Sequence, residues 1–182
     1  MPASKVTIDA TDSLSADDFK AVFRGHPGGV SVITADAGDG PVALTATSVA
    51  SISVDPPLLV FSISALSSAA DVLSRAATIV VHSLDVHDLE VAKLGATSGI
   101  DRFAQSQSWT RLSTGETVFD NVRAWVRCDV IQRIQAGTST VIVARALQAH
   151  IERDAQPGEL GDALVYHNRS WHHLNENSRL NG

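Results

Sequence analysis

The segment Thr45–Pro57, TATSVASISVDPP, runs directly into the apolar stretch Leu58–Ile63, LLVFSI. Small hydroxyl residues fill the first half of the segment. Asp55-Pro56-Pro57 predicts a turn, because proline fixes φ and favours an extended conformation for the residue before it. The apolar stretch has the length and composition of a buried strand. Hydroxyls and backbone amides are thus placed beside a core strand, which suits the binding of a polar, planar, phosphorylated ligand against a rigid wall.

Length and composition set the class of protein. The 182-residue chain fits one domain with a substantial core. It carries 20 acidic and 14 basic residues and no Lys/Arg cluster, so we expect no nucleic-acid partner. Cys128, the one cysteine, can form neither an intrachain disulfide nor a thiolate zinc site. With no signal-peptide order and no apolar run near the ~18 residues of a membrane span, we expect a cytoplasmic protein without membrane contact.

Local patterns predict a domain over residues 15–176, a flexible N-terminal tail at 1–14 and a C-terminal tail at 177–182. Ser15 begins a capping-box pattern, and the helix that it starts should end near Gly25. A short helix is expected at Ala69–Leu73 with Ser68 as its N-cap, and a surface helix at Asp85–Leu94.

Most of the remaining segments have the alternation and turn signals of strands. Strands are predicted at Val30–Thr34, Val42–Leu44, Leu58–Ile63, Thr78–His82, Val122–Val130, Thr140–Val143, Leu164–Tyr166 and Trp171–Leu174. Ile100–Phe103 and Trp109–Val118 are predicted to be irregular. Short strands at turn-punctuated spacing with few helices favour a mainly β fold, a closed barrel instead of a βαβ layered sheet.

Several motifs follow one another in a fixed order. Thr45-Ala46-Thr47-Ser48, followed by Ser51-x-Ser53-x-Asp55-Pro56-Pro57-Leu58, is similar to the signature of the flavin reductase family. The strand Gly28–Thr34, the triplet Asp101-Arg102-Phe103, Trp109 and the pattern Ala124-Trp125-x-x-Cys128 also fall where the family has them. The resemblance runs from about Phe19 to Leu174.

The resemblance implies an FMN-binding split β-barrel of about six Greek-key strands that forms a homodimer. It implies FMN, with FAD as the alternative, bound near the subunit interface. The flavin-binding positions that it assigns are Thr45, Ala46, Thr47, Ser48, Ser51, Ser62, Ser64, Ser67, Ser68, Arg102 and Phe103. Independently of the family, free N–H groups where a helix begins at Ser67-Ser68 would favour a phosphate there.

The implied reaction is hydride transfer from NAD(P)H to flavin, with the reduced flavin passing to a partner monooxygenase. No catalytic acid or base is assigned, since the flavin supplies the chemistry. One departure from the family concerns the hairpin turn, where Gly-Asp-His is replaced by Gly137-Thr138-Ser139. The candidate nicotinamide region consists of His26, Gly28, Gly137 and Ser139.

Simpler interpretations of the same residues stay open. The hydroxyls of Thr45–Ser53 are also suited to satisfying neighbouring backbone groups, and Ser67-Ser68 to capping a helix. Arg102 is as well explained by solvation or ion pairing. Cys128 fits a small buried apolar residue. His172 and His173, adjacent in a predicted strand, point to opposite faces, so no metal site is predicted.

Two other functions fit the resemblance. One is a flavin-binding protein without reductase turnover, in which the missing hairpin histidine reflects a storage or regulatory role. The other is a split-barrel oxidoreductase that keeps its flavin tightly bound and acts on a small substrate.

Overall fold

The computed structural model describes residues 13–154, 156 and 161–180. Positions 1–12 and 181–182 of the two predicted tails lie outside the described residues. The described part is mainly β, as predicted, with twelve strands and three α-helices. No helix in it is long and apolar enough to cross a membrane.

Helix α1, Ala16–Arg24, begins and ends where the capping signals predicted. Ser15 Oγ accepts the N–H of Asp18 at 3.1 Å, and Gly25 follows the last helical residue. Its apolar side chains lie on one face, and nothing covers them within the described chain: Phe19, Val22 and Phe23 are 54%, 67% and 54% exposed. This helix therefore presents an apolar face to the surroundings of the domain.

Eight of the twelve described strands lie where strands were predicted, and the other four were not predicted. The twelve strands are β1 (Gly28–Gly29), β2 (Ser31–Asp36), β3 (Pro41–Ala46), β4 (Ala50–Val54), β5 (Pro57–Ser64), β6 (Thr78–Ser83), β7 (Trp109–Arg111), β8 (Thr117–Phe119), β9 (Ala124–Ala136), β10 (Ser139–Ile151), β11 (Leu164–His167) and β12 (Ser170–His173). The other two helices are α2 (Ala70–Arg75) and α3 (Leu89–Ala96), the latter preceded by a 3₁₀ turn at Val86–Asp88. Turn-forming residues join the hairpins, and Asp36 accepts the N–H groups of Gly38 and Gly40 in the β2–β3 loop.

Seven strands form one antiparallel sheet in the order β3-β2-β6-β9-β10-β5-β4. Its two edge strands, β3 and β4, are consecutive in the chain and are joined by only Thr47–Val49. A sheet whose outermost strands are joined by three residues must roll up so that these strands meet at one end. The predicted closed barrel is not observed. The sheet curves until β3 and β4 approach each other at one end, but these edge strands do not pair and the sheet stays open.

The rolled sheet encloses the main apolar core. Its cluster includes Ile33, Phe61, Leu73, Ile79 and Ile142, each at most 1% exposed. A second cluster lies under α3 and the two-stranded β7–β8 sheet, and contains Val32, Ala92, Phe119 and Leu164. Strand β2 contributes to both clusters, because its alternate side chains face opposite sides of the sheet.

Two local predictions are wrong. The segment Trp109–Val118 is not irregular, since β7 and β8 pair within it from Trp109↔Phe119 to Arg111↔Thr117. Ser68 is not the N-cap of α2. The helix starts one residue later, after Ala69, because turn hydrogen bonds from Ser67 N–H to the Ser64 carbonyl and from Ala70 N–H to the Ser67 carbonyl come first.

Buried ion pairs tie the chain after β10 to the start of α3. The Arg153 guanidinium contacts Asp85 at 2.8 Å and Asp88 at 2.6 Å, and both carboxylates are nearly buried. Burial alone raises the pKa of Asp85, but hydrogen bonds from Arg153 and the His87 N–H outweigh it and hold the pKa below its ordinary value. Asp85 is thus charged around neutral pH, and the contacts of Arg153 with both carboxylates fix the start of α3 against the sheet.

Candidate functional site

Exposed hydroxyl residues form a continuous strip on the outer side of β5 and β10. Ser62 and Ser64 alternate outward from the buried Phe61 and Ile63 on β5. Ser64 lies directly opposite Ser139 of β10, so the two share a face. We call Thr47, Ser48, Ser62, Ser64 and Ser139 the hydroxyl band.

The band continues into the β3–β4 connection through a specific contact. Ser48 Oγ accepts the N–H of Ser62 at 3.1 Å and lies 3.3 Å from its carbonyl oxygen. Because β4 pairs with β5 only as far as Val60, this hydroxyl takes the place of the missing strand partner. Thr47, next to it, is exposed and faces Gly28, where an added Cβ would lie 2.7 Å from the Thr47 Cβ.

Thr45 and Ala46 are held more deeply than the band. Thr45 Oγ1 donates to the Ala92 carbonyl of α3 at 2.7 Å, and Ala46 is 8% exposed. Their side chains are therefore engaged in packing. Because β3 is an edge strand, the backbone groups on its outer edge have no strand partner in the described part of the chain. This edge can present peptide N–H and C=O groups to a planar ligand at the band.

Ser68 and Arg102 line one cavity of about 230 Å³, together with Phe103. Ser68 is exposed, whereas the Ser67 hydroxyl accepts the N–H of Ala69. Arg102 donates to the carbonyls of Leu94 at 3.3 Å and Thr97 at 2.6 Å, and so caps the C-terminal end of α3. These bonds use two of its five N–H donors, which leaves a fixed guanidinium facing the cavity.

Ser51 lies apart from these groups, and Phe103 is almost fully buried. Ser51 is opposite Leu59 on the other face of β4, and it lines a separate cavity of about 610 Å³. Phe103 is 9% exposed and stacks on Phe119 with ring centroids 5.4 Å apart, so it belongs mainly to the second apolar cluster. The structure thus brings Thr47, Ser48, Ser62 and Ser64 together, but not Ser51.

The four candidate nicotinamide residues are divided between the two ends of the band. Gly137, at φ 60°, is in the β9–β10 turn, and the Ala65 N–H donates to the carbonyl of the next turn residue, Thr138, at 3.0 Å. Gly137 and Ser139 therefore adjoin Ser64. Gly28 and His26 are at the opposite end, beside Thr47, and His26 and Thr47 line the same cleft.

The sequence did not assign the other side chains of this cleft to a site. Its volume is about 360 Å³, and Phe23, Arg24, Tyr166 and Arg169 are among the side chains that line it. They come from α1 and the β11–β12 hairpin, which are far apart in the chain. The Asn168 N–H donates to the Arg24 carbonyl at 3.1 Å and holds the two elements together. The sequence predicted the helix and the strands of the hairpin, but not that the two elements meet.

The strongly shifted side chains lie away from the band. Burial lowers the pKa of His82 to about 4, and its imidazole is bonded to the Val32 carbonyl and the Phe119 N–H. Burial raises the pKa of Cys128 to about 12, which fits the predicted small apolar residue. The described residues contain no group of three or more His, Cys, Asp or Glu arranged to hold a metal. The band itself offers hydroxyls and backbone groups, which suit binding and positioning.

A curved antiparallel sheet with exposed hydroxyl residues beside its edge strands defines the class of the domain: a mainly β fold with a candidate ligand surface on its outer face. The model of the flavin reductase like domain matches residues 23–175, so the chain belongs to this family. An NADH:FMN oxidoreductase of Rhodococcus qingshengii is 36% identical over 167 residues, which cover 92% of this chain and 86% of that protein.

Solved structures agree with this family. A flavin reductase domain protein from Arthrobacter sp. FB24 superposes with a TM-score of 0.80 at 27% identity, over 87% of this chain and 94% of that chain. The flavin reductase component of a bacterial two-component tryptophan halogenase gives a TM-score of 0.76 at 28% identity, over 89% and 99% of the two chains.

Proposed function

We propose that this protein is an NAD(P)H-dependent flavin reductase that binds FMN along the hydroxyl band. The observation that carries the proposal is the continuity of the band, from Thr47 beside Gly28 to Ser64 beside the β9–β10 turn. The similar protein from Rhodococcus qingshengii, named NADH:FMN oxidoreductase, supports the same substrates for this chain.

The shape and chemistry of the surface fit a flavin mononucleotide. The outer edge of β3 and the Thr47-Ser48 backbone suit the hydrogen-bonding groups of a flavin ring system. Ser62 and Ser64 follow as hydroxyls for a polyol chain, and the Ser68–Arg102 cavity provides a cation and a hydroxyl for a phosphate. We assign the isoalloxazine, ribityl and phosphate positions in that order.

When bound, the flavin accepts a hydride from the reduced nicotinamide. The residues of this chain position the two molecules and require no acid or base at the band. Gly28 allows Thr47 to approach the backbone closely at one end of the band, and Gly137 and Ser139 border the other end. The hairpin imidazole of the family is absent, so affinity for NAD(P)H must come from other groups.

The assay measures anaerobic NADH and NADPH oxidation with added FMN or FAD, compared with free flavin alone. A rate no higher than the free-flavin background would favour the alternative, a flavin-binding protein without reductase turnover. Gel filtration before and after turnover distinguishes a released flavin from a tightly bound one, which would favour an enzyme that uses fixed FMN on a small substrate.

A pair of variants tests the site itself. Ser62→Tyr fills the band with a residue that strands accept, whereas Val54→Tyr adds the same side chain to an exposed position of β4 outside the band. We expect Ser62→Tyr to weaken FMN binding at least ~10-fold, which corresponds to about 1.4 kcal/mol, and Val54→Tyr to leave it unchanged. Equal FMN affinity in both variants would place the flavin elsewhere.

The proposal also covers the fold, the oligomeric state, the location and the partner of the protein. We propose a flavin-binding split-barrel domain over residues 15–176, with tails at 1–14 and 177–182, closed where Thr47–Val49 joins the sheet edges. We also propose a cytoplasmic homodimer that supplies reduced flavin to a monooxygenase. The similar reductase component of a two-component halogenase supports a flavin-dependent partner enzyme.

A further inference from the structure

The cleft between α1 and the β11–β12 hairpin combines aromatic and cationic side chains. We call it the α1 cleft. Phe19, Phe23 and Tyr166 form its aromatic surfaces, and Lys20, Arg24 and Arg169 supply the positive charge. At about 360 Å³ it is within the range of small-molecule sites.

The charge of the α1 cleft is opposite to that of the chain. The net charge is −6, yet no Asp or Glu is among the residues that line the cleft. Lys20 has an exposed partner, Asp17, at 3.3 Å. Arg24 and Arg169 have no ion pair or side-chain hydrogen bond within the part of the chain that the structure describes. Two unpaired guanidinium groups beside aromatic rings favour an anionic ligand with a planar group.

The backbone at Arg169 points to a functional reason for its presence. Asn168 and Arg169 have φ values of 46° and 63°, the left-handed conformation of a tight hairpin turn. Glycine is preferred at the second position, and a long side chain there is strained. Strained residues of this kind are concentrated at functional sites. The Asn168 N–H also donates to the Arg24 carbonyl, which holds the turn beside the end of α1, and both arginines line the cleft.

The aromatic part of the cleft has the geometry of a stacking surface. The Phe19 and Phe23 rings have centroids 4.6 Å apart, and both side chains are about half exposed. Their exposure leaves a ring face accessible to a purine, because any nucleobase can stack on an aromatic side chain. Adenine beside phosphates matches the combination of phenylalanine and arginine.

We propose that the α1 cleft binds the ADP half of NAD(P)H, with Arg24 and Arg169 on phosphate groups and Phe23 against the adenine. This inference rests on the proposed reductase function. Thr47 lines the cleft and also belongs to the hydroxyl band, so a dinucleotide anchored in the cleft can extend its nicotinamide towards the flavin. The cleft then supplies the affinity that the missing hairpin histidine does not.

The test compares reduced dinucleotides with reduced nicotinamide mononucleotide, which lacks the ADP half. The variant combines Arg24→Gln with Arg169→Asn, because asparagine tolerates a positive φ. We expect the KM for NADH and NADPH to rise roughly 10-fold or more, while kcat, the KM for FMN and the KM for the mononucleotide stay unchanged. A larger loss for NADPH than for NADH would assign the arginines to the 2′-phosphate, and equal losses to the pyrophosphate.

Arg145→Gln serves as the control, since this exposed arginine pairs with Asp129 at 2.7 Å outside the cleft. An unchanged KM for NADH in the double variant, or an equal rise for the mononucleotide, would overturn the proposal. A wild-type protein without flavin reduction would instead contradict the proposed function. In that case calorimetric titration with ADP-ribose decides about the cleft: binding that the double variant loses supports it, and no binding overturns it.

Discussion

His82 shows how one buried side chain sets the acid limit of this fold. Its Nδ1 donates to the Val32 carbonyl at 2.9 Å and its Nε2 accepts the Phe119 N–H at 3.1 Å, an arrangement that only the neutral imidazole satisfies. Burial lowers its folded pKa from 6.5 to about 4. Between these values the unfolded chain binds a proton that the folded chain excludes, so stability falls as the pH falls from 6.5 towards 4.

Urea unfolding at pH 7 and pH 5 measures this effect. We expect the free energy of unfolding to be about 2 kcal/mol lower at pH 5. His82→Gln should remove most of the difference, whereas His173→Gln, an exposed residue bonded to Asp162, should keep it. The same pH dependence in all three proteins would show that another group is responsible.

A substitution at Ser68 tests the phosphate end of the proposed flavin site. Ser68→Asp places a carboxylate in the cavity that Arg102 lines, where it would repel a phosphate and compete for the guanidinium. We expect FMN affinity to fall by roughly 10-fold or more and riboflavin affinity to change much less. Titrations of both ligands by flavin fluorescence give the comparison, and equal losses would remove Ser68 from the phosphate position.

Gly95 governs the distance between α3 and β3. A Cβ at this position would overlap the Thr45 hydroxyl and approach its backbone nitrogen to 3.2 Å. Gly95→Ala should therefore lower the free energy of unfolding by ~1–3 kcal/mol and shift Thr45, despite the better helix propensity of alanine. Gly25→Ala is the control, because only the Val22 carbonyl lies near, at 3.8 Å. Urea denaturation of both variants shows whether the close approach matters.

At the level of elements, the sequence predicted what depends on local chemistry. The α1 cap at Ser15, the strand alternation of β9 and the final hairpin are confirmed, because each is encoded by neighbouring residues. Strands β7 and β8 were missed because each has three residues, too few for a period to appear. The start of α2 was misplaced by one residue, since turn hydrogen bonds around Ser67 compete with capping.

The candidate site likewise has one part that the sequence predicts and another that it does not. The outward positions of Ser62 and Ser64 follow from alternation with the apolar residues of β5. The α1 cleft cannot be predicted from such a pattern. An amphipathic pattern shows which face of α1 is apolar, but it does not show which element packs beside that face. Its partner, the turn at Arg169, reaches α1 through a backbone hydrogen bond between distant segments. Such long-range placement is decided by the packing of the whole domain.

For the whole molecule, the ends of β9 and β10 are the surface that favours a second copy. These strands have 13 residues each, and they extend past β6 and β5, which pair with them over only part of their length. Ile131 and Leu147 are the extra residues of two bulges and are 49% and 46% exposed, and Ile134 and Ile151 are 44% and 58% exposed. Two of them lie near the hairpin turn and two near its open end, and exposed apolar side chains spread along one hairpin in this way are typical of an interface.

We expect light scattering coupled to gel filtration to give twice the chain mass for the wild type, and a lower mass for Ile134→Glu combined with Ile151→Glu, because two buried carboxylates would oppose each other across a twofold axis. Val54→Glu, at an 88% exposed position beside the β4–β5 turn, should leave the mass unchanged. A wild type that stays monomeric at every concentration tested would refute the dimer. If that monomer reduced flavin, the hydroxyl band and the α1 cleft of a single chain would be sufficient for the reaction.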